Sequence, residues 1–155
     1  MEHKIRVIEP SQLMHQLPQL LQEADSVPLV ISGQSMSPFL RHGRDTVYLS
    51  RLCREPKKGD MLLYRRDNGT YILHRVYRIR SGRYDMIGDG QLGIEPGIRP
   101  DQLLATVAAV RRNGKLLRPG HFLWGFFAHI WRWLVPVRPA LLKLYAFLTP
   151  WRKRK

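Results

Sequence analysis

A serine and a histidine are the residues best suited to chemistry in this sequence. Ser35 lies in the stretch ISGQSMSPFLRHGRD, residues 31–45, where a turn of small residues follows an apolar run. This order predicts a tight bend that presents the hydroxyl to a peptide carbonyl. A serine hydroxyl becomes a good nucleophile when a neighbouring base removes its proton, and the imidazole of His74 can do so near neutral pH. We therefore expect Ser35 to be a nucleophile and His74 its general base.

Each of these residues also has a more ordinary explanation. Serines in glycine-containing loops are commonly solvated turn residues, and a histidine in a strand is commonly structural. His42, seven residues after Ser35, is the main rival to His74 as a base. Further motifs along the chain favour the chemical interpretation.

Four short motifs follow one another in a recognisable order. GQSMSP surrounds Ser35, KKGDMLLY follows it, LHRVYRI contains His74, and MIGDG contains Asp89, all within residues 29–110. Together they resemble the sequence boxes of the signal peptidase I superfamily. The histidine in place of a lysine is similar to the endoplasmic-reticulum and archaeal type of that family. The resemblance implies a serine endopeptidase that cleaves signal or leader peptides by acyl-enzyme chemistry.

The resemblance also implies carboxylates that orient His74. Enzymes of this type carry one Asp in the motif that corresponds to MIGDG and another Asp six residues later. Here these two positions hold Asp89 and Glu95. An acid beside the imidazole holds its orientation and stabilises its cationic form. We expect Asp89 to have this role and keep Glu95 as the second candidate. A plain turn is the alternative interpretation of Gly88-Asp89-Gly90.

The loop around the nucleophile predicts where an oxyanion would be stabilised. The backbone N–H of Ser35 is the natural donor. Many relatives add a small hydroxyl residue two positions earlier, where this chain has Gly33. We therefore expect an oxyanion hole of main-chain donors, in a substrate loop that includes Gly33, Gln34 and Met36. Met36 and Phe39 either pack beneath the nucleophile or line the substrate groove.

Lysine is the base in most bacterial members of the family and in the related self-cleaving repressors. Between the nucleophile box and MIGDG the lysines are Lys57 and Lys58, just ahead of a Gly-Asp turn that is structural in the family. We interpret both as surface charges. The repressors also carry a DNA-binding helix-turn-helix, for which the residues before 28 leave no room.

The sequence contains no constellation of metal ligands and no cofactor motif. A Ser/His mechanism needs neither, so we expect no cofactor and no metal. The single Cys53 excludes an internal disulfide framework, and we assign it no role.

Hydrophobic periodicity divides the chain into three parts. Residues 1–27 predict a helical segment whose charged residues argue against a signal peptide or a membrane anchor there. Residues 28–118 contain short β-rich runs separated by turn signals, with a hairpin indicated at Asn68-Gly69. The predicted fold is mainly β: a compact antiparallel domain with an N-terminal helix and, in residues 119–155, C-terminal amphipathic helices. The resemblance implies that the β domain is signal-peptidase-like.

The C-terminal part differs from the rest in composition. Residues 121–155 hold all four tryptophans and no acidic residue, and they end in a basic tail. The longest uninterrupted apolar run, residues 122–131, is too short to span a bilayer. We expect two short amphipathic helices, broken at Pro136 and Pro139, with Trp and Phe toward an anionic membrane surface. A helical hairpin packed on the β domain or on a partner subunit is the alternative.

The net charge of +14 favours an anionic partner. Because the aromatic residues cluster at the end of the chain, lipid explains this charge better than nucleic acid, and we expect no specific nucleic-acid binding. The sequence therefore predicts a peripheral membrane protein, on the cytoplasmic face rather than exported. Its substrate would be a polypeptide whose leader or signal segment binds as an added β-strand.

A function without catalysis is the alternative. In that interpretation the chain is a membrane- or partner-binding module on a degenerate peptidase fold. Gly33 and Glu95, which depart from the family pattern, would then be signs of decay.

Overall fold

The computed structural model describes residues 10–149. Helix α1 spans Pro10–Glu23. The strands are β1 (Val27–Val30), β2 (Thr46–Ser50), β3 (Met61–Arg65), β4 (Tyr71–Arg80), β5 (Arg83–Ile87), β6 (Glu95–Ile98), β7 (Leu103–Arg112) and β8 (Lys115–Leu117). The helical elements that follow are α2 (Phe122–Gly125), a π-helical turn (Phe126–Ile130), α3 (Trp131–Trp133) and α4 (Arg138–Leu148). Two 3₁₀ turns lie at Pro100–Gln102 and Val135–Val137.

The strands form one antiparallel sheet. Its order is β1-β2-β7-β3-β4-β5-β6, and β8 pairs with β7. The described residues thus confirm a mainly β, antiparallel fold with an N-terminal helix and C-terminal helices. Strands β3 and β4 form the predicted hairpin, with Arg65 paired to Tyr71. Gly69 in its loop has a φ of 87°, a conformation that glycine adopts without steric cost.

Strand β6 was not expected, because the stretch GIEPG, residues 93–97, which overlaps its start, predicts a turn. It lies at the edge of the sheet, where it pairs with β5. A proline is tolerated in an edge strand because no ladder hydrogen bond is lost on the outer side. The N–H of Gly97 donates to the Asp85 carboxylate at 3.0 Å, which holds this short strand in place. As a result Glu95 lies in a strand rather than in a loop.

The two faces of the sheet pack into different cores. The larger core draws on all three parts of the chain, and its members include Leu17, Leu21, Phe39, Val47, Leu63, Val110, Trp124, Phe127 and Trp131. The smaller core lies around β3, β4 and β5 and consists of Leu62, Tyr64, Val76, Tyr84, Met86 and Ile98. Burying a large apolar side chain stabilises the fold by roughly 1.5–3 kcal/mol, so the helical segments before and after the sheet contribute substantially to its stability.

The C-terminal segment has a buried side and an exposed side. Trp124, Phe127 and Trp131 lie in the protein core, so the expectation that the aromatic residues of this segment face lipid is wrong for these three. They cover the apolar face of the sheet, which is the arrangement that the alternative interpretation expected. Trp133 and Phe147, by contrast, are 75% and 83% exposed. None of the helices within residues 10–149 is long and apolar enough to cross a membrane.

Candidate active site

His74 lies near the middle of β4 and is 97% buried, with 3% of its surface exposed. Its partner across the ladder is Leu62 on β3. Because successive side chains of a strand point to opposite faces, His74 lies on the side of the smaller core and Arg75 on the side of the larger one. His74 and Arg75, adjacent in the motif LHRVYRI, therefore contact different groups.

The nucleophile loop, residues 31–40, leaves the end of β1 as a series of turns. The N–H of Ser37 donates to the carbonyl of Gln34 at 3.0 Å, so Ser35 lies on a tight bend. The side chain of Ser35 is half-buried. Met36 and Phe39 are 2% and 0% exposed and belong to the larger core. Both therefore pack beneath the nucleophile and do not line an open groove.

The loop after β5 joins the nucleophile loop to the strand that carries the histidine. The N–H of Gly90 donates to the carbonyl of Ser35 at 2.8 Å. A Cβ on Gly88 would lie 2.4 Å from that same carbonyl oxygen, which no side chain could tolerate without a shift. Residue 88 directly follows Ile87, which pairs with Arg75 on β4. The glycines of the MIGDG motif thus allow the Ser35 loop to pack closely on the loop that follows β5.

Ser35 and His74 are not joined by a hydrogen bond within the described residues. Catalytic hydrogen bonds are often long in the free enzyme and tighten when substrate binds. The Ser35 loop packs into the larger core, whereas His74 lies on the side of the smaller one, and the two side chains have not assembled into a hydrogen-bonded pair.

Asp89, the first candidate for the orienting acid, is bound to Arg75. Both carboxylate oxygens accept from its guanidinium, at 2.9 and 2.8 Å, and both side chains are 1% exposed. Arg75 also donates to the carbonyl of Gly59 at 2.8 Å and lies over the ring of Phe39. Among the described residues no hydrogen bond joins Asp89 to His74. The geometry assigns the Asp89 carboxylate to the larger core, across the sheet from the imidazole.

Glu95, the second candidate, reaches His74 through a tyrosine. The hydroxyl of Tyr64 lies 2.6 Å from Oε2 of Glu95 and 3.2 Å from Nδ1 of His74. Arg66 holds the same carboxylate with two hydrogen bonds of 2.8 Å. Sequence reasoning missed Tyr64, although alternation along DMLLYRR places it on the same face as the residue that pairs with His74. The sequence pattern did not predict strand β6, and it is β6 that brings Glu95 to this face of the sheet.

The environment of His74 favours its neutral form. Burial is the main cause and lowers the pKa of His74 to about 4. Glu95 and Asp89 oppose that shift, whereas Arg66 adds to it. For Glu95, the hydrogen bonds from Arg66 hold the pKa of the carboxyl below its usual range. At neutral pH the site therefore combines an unprotonated imidazole with an ionised glutamate.

The predicted oxyanion loop is held by the rival histidine. Gly33 has a φ of 85°, and its N–H donates to Nδ1 of His42 at 2.9 Å. A histidine that accepts at Nδ1 carries its proton on the other nitrogen, so His42 stabilises the loop and has no basic nitrogen left for Ser35. Within residues 10–149 no acceptor takes the N–H of Ser35. That N–H is therefore a suitable oxyanion donor.

The KKGD turn contacts the C-terminal segment. Gly59 has a φ of 92°, and a Cβ on it would lie 2.6 Å from the carbonyl oxygen of Ala128. Lys57 and Lys58 beside it are exposed, which confirms their interpretation as surface charges. The glycine is needed because the π-helical turn packs directly on this loop.

Two further C-terminal residues hold the loop that bears Asp89. The indole N–H of Trp131 donates to the carbonyl of Asp89 at 2.8 Å. Arg138, which is fully buried, donates to the carbonyls of Gly88 and Gln91 at 3.1 and 2.8 Å. Nothing in the sequence marks these contacts, because an arginine in an aromatic segment is equally typical of an interfacial helix.

Comparison with known proteins found no relative. No family model, no curated protein and no solved structure matches this chain. Within the described residues no three His, Cys, Asp or Glu side chains are arranged to hold a metal ion. The functional argument therefore depends on the residues of the site.

Proposed function

We propose that this chain is a serine endopeptidase that cleaves signal or leader peptides, with Ser35 as the nucleophile and His74 as the general base. The observation that carries the proposal is the packing of the Ser35 carbonyl against Gly88 and Gly90. This contact holds the tight bend of Ser35 against the loop after β5, and β5 pairs with β4, the strand that carries the buried, neutral imidazole of His74. A neutral imidazole is the form that can accept a proton.

The chemistry follows the order of acyl transfer. The Ser35 oxygen attacks the scissile carbonyl carbon while its proton passes to His74, and the backbone N–H of Ser35 stabilises the oxyanion. The carbon–nitrogen bond then breaks, His74 returns the proton to the leaving amine, and the acyl group stays on Ser35. Water attacks the ester carbonyl while one of its protons passes to His74. The bond between the carbonyl carbon and the Ser35 oxygen then breaks, His74 returns the proton to that oxygen, and the product leaves with its new carboxyl group.

The position of β1 supports an extended substrate. Within the described residues β1 pairs only with β2, so its other edge has no strand partner. The chain runs from this edge directly into the Ser35 loop. A polypeptide added as a strand along β1 would present its carbonyls in the direction of the nucleophile.

An anionic membrane is the proposed docking partner. Val137, Leu144, Phe147 and Leu148 are at least 51% exposed and extend along α4 and the turn before it. Lys143 is exposed on the same helix, and the sequence continues into Trp151 and four basic residues. Binding to an anionic lipid surface gains free energy from burial of apolar side chains and from attraction of basic side chains to the headgroups, and this helix exposes both kinds. Docking there would place the peptidase next to leader segments of membrane-bound chains, on the cytoplasmic face.

The same exposed face also favours the second candidate function, a membrane-binding module without catalysis. That function would require the basic and apolar C-terminal residues and would tolerate the loss of Ser35. The lack of a hydrogen bond between Ser35 and His74 is compatible with it.

Cleavage of a leader peptide distinguishes the two functions. The protein would be compared with Ser35→Ala, His74→Ala and the matched control Ser37→Ala, at neutral pH with vesicles of mixed neutral and anionic lipid. The peptidase proposal expects cleavage by the wild type and the control, and loss of at least 100-fold in the other two. Equal activity in all four proteins would refute it. No cleavage of several leader peptides, with vesicle binding retained, would favour the binding module.

A further inference from the structure

We infer that Tyr64 is a positioning residue, which sets the proton of His74 on Nδ1 and connects the imidazole to the charge of Glu95. The inference deepens the proposed function and rests on it for its catalytic meaning. Its physical basis is a chain of three hydrogen-bonded side chains on β3, β4 and β6.

The direction of the hydrogen bonds follows from a count of protons. An ionised carboxylate only accepts, so the Tyr64 hydroxyl must donate its single proton to Glu95, 2.6 Å away. The phenol oxygen then has only lone pairs to offer to Nδ1 of His74, 3.2 Å away. Nδ1 must therefore be the protonated nitrogen of the neutral ring. Its proton is donated to the phenol oxygen.

The consequence is that Nε2 carries the free lone pair. Within residues 10–149 no side chain or main-chain group forms a hydrogen bond with that nitrogen. Nε2 is thus the atom that takes the proton from Ser35. When it does so, the imidazolium keeps its hydrogen bond to Tyr64, and the charge of Glu95 stabilises it across the phenol.

Glu95 contacts His74 only through Tyr64, because its ion pair with Arg66 holds the carboxylate away from the imidazole. Arg66 binds both oxygens of Glu95 at 2.8 Å and keeps the carboxylate at the edge of the sheet. The carboxylate is partly exposed, whereas His74 is buried. Tyr64 is 0% exposed and spans the interval between them. The hydroxyl thus serves as the inner acceptor that a carboxylate supplies in a direct acid–histidine pair.

The test compares Tyr64→Phe with the control Tyr84→Phe. Both rings belong to the smaller core, and only the first substitution removes the hydroxyl beside His74. Nitrogen NMR of the His74 ring at pH 7 reports which nitrogen carries the proton. The wild type and Tyr84→Phe are expected to show Nδ1–H, and Tyr64→Phe a shift toward Nε2–H. In leader-peptide cleavage Tyr64→Phe should lower kcat about 10- to 100-fold, as for partners that orient a reacting group, with KM nearly unchanged.

The outcomes separate this inference from the proposed function. Nε2–H in the wild type, or Nδ1–H retained in Tyr64→Phe, would overturn the role of Tyr64 whatever the activity. If the ring shows the expected protonation but neither the wild type nor Tyr84→Phe cleaves any leader peptide, the positioning of the proton stands and the peptidase function fails. A change in KM alone for Tyr64→Phe, with kcat unchanged, would also contradict the inference.

Discussion

Arg75 and Asp89 form a buried ion pair with two parallel hydrogen bonds of 2.9 and 2.8 Å. The pair links β4 to the loop that packs on the nucleophile, and each side chain is 1% exposed. Two charges removed from water need one another, because either one alone would be left buried and unpaired. The pair therefore holds the loop in place from the side of the sheet opposite His74.

Removing one partner of this pair should strongly destabilise the fold. Asp89→Ala is expected to lower the free energy of unfolding by about 3–5 kcal/mol, since Arg75 would remain buried without its counterion. Urea unfolding followed by circular dichroism measures this change. The control is Asp67→Ala, which removes an exposed partner of Arg99 and should cost less than about 1 kcal/mol. Similar losses in both variants would contradict the structural role of Asp89.

The close approach of Gly88 to Ser35 predicts a steric effect. In Gly88→Ala the new Cβ would lie 2.4 Å from the Ser35 carbonyl oxygen, so the two loops must separate. Overpacking of this kind costs about 1–3 kcal/mol of stability, and leader cleavage should fall with it. Gly93→Ala is the matched control, because its Cβ would have no heavy atom within 4 Å. Equal melting temperatures for the two variants would show that the loops are not packed as described.

Arg138 predicts how the C-terminal segment acts on the site. Arg138→Met keeps much of the side-chain volume but removes the donors to the carbonyls of Gly88 and Gln91. Amide exchange of residues 88–91, followed by mass spectrometry, should become at least about 10-fold faster, as expected for loss of a charge-assisted hydrogen bond. Arg132→Met is the control, since Arg132 donates instead to the carbonyl of Tyr77. Faster exchange in the control as well would point to general loosening of the segment.

The depressed pKa of His74 predicts a loss of stability in acid. The folded pKa of about 4 lies below the ordinary value of 6.5, so the unfolded chain binds more protons between these two values. The contribution of His74 to the free energy of unfolding is therefore fully present above pH 6.5 and is lost as pH falls toward 4. Between these two pH values, the contribution of His74 to the free energy of unfolding changes by at most about 1.4 kcal/mol per pH unit.

Comparison with His74→Gln isolates this contribution from those of the carboxylates. The charged and titratable groups around the imidazole, which are Tyr64, Arg66, Asp89 and Glu95, are the same in both proteins. Urea unfolding at several pH values from 4 to 7 should give a shallower dependence in the variant. Parallel curves would mean that His74 is not held neutral by burial.

The exposed apolar face of the C-terminal segment predicts binding to anionic vesicles. Trp133→Ser and Phe147→Ser remove side chains that are 75% and 83% exposed. Each should weaken binding about 10-fold or more, given about 1.5–3 kcal/mol for burial of a large apolar side chain. Leu116→Ser, on β8, is the control and should leave binding unchanged. Vesicle sedimentation at low and high salt separates the electrostatic contribution to binding, which salt screens, from the apolar contribution. Equal binding by all variants would exclude this face as the docking surface.

The sequence alone determined the features that depend on neighbouring residues. Alternation of apolar side chains and turn residues located most strands and the β3–β4 hairpin, because these depend on local backbone preferences and a period of two. The tight bend at Ser35 was also predicted from its neighbours. Proline positions predicted the break between α3 and α4, where Pro136 lies in the 3₁₀ turn.

Only the tertiary structure decided which groups meet. β6 pairs as an edge strand although Glu95-Pro96-Gly97 predicts a turn, since edge pairing tolerates proline. That pairing brings Glu95 to Tyr64, and packing of the loop after β5 places Asp89 where it forms an ion pair with Arg75. The C-terminal tryptophans show the same limit, because an aromatic side chain is equally suited to lipid and to a core. Its place depends on whether an apolar surface of the same chain lies within reach, and for Trp124 and Trp131 the sheet supplied one.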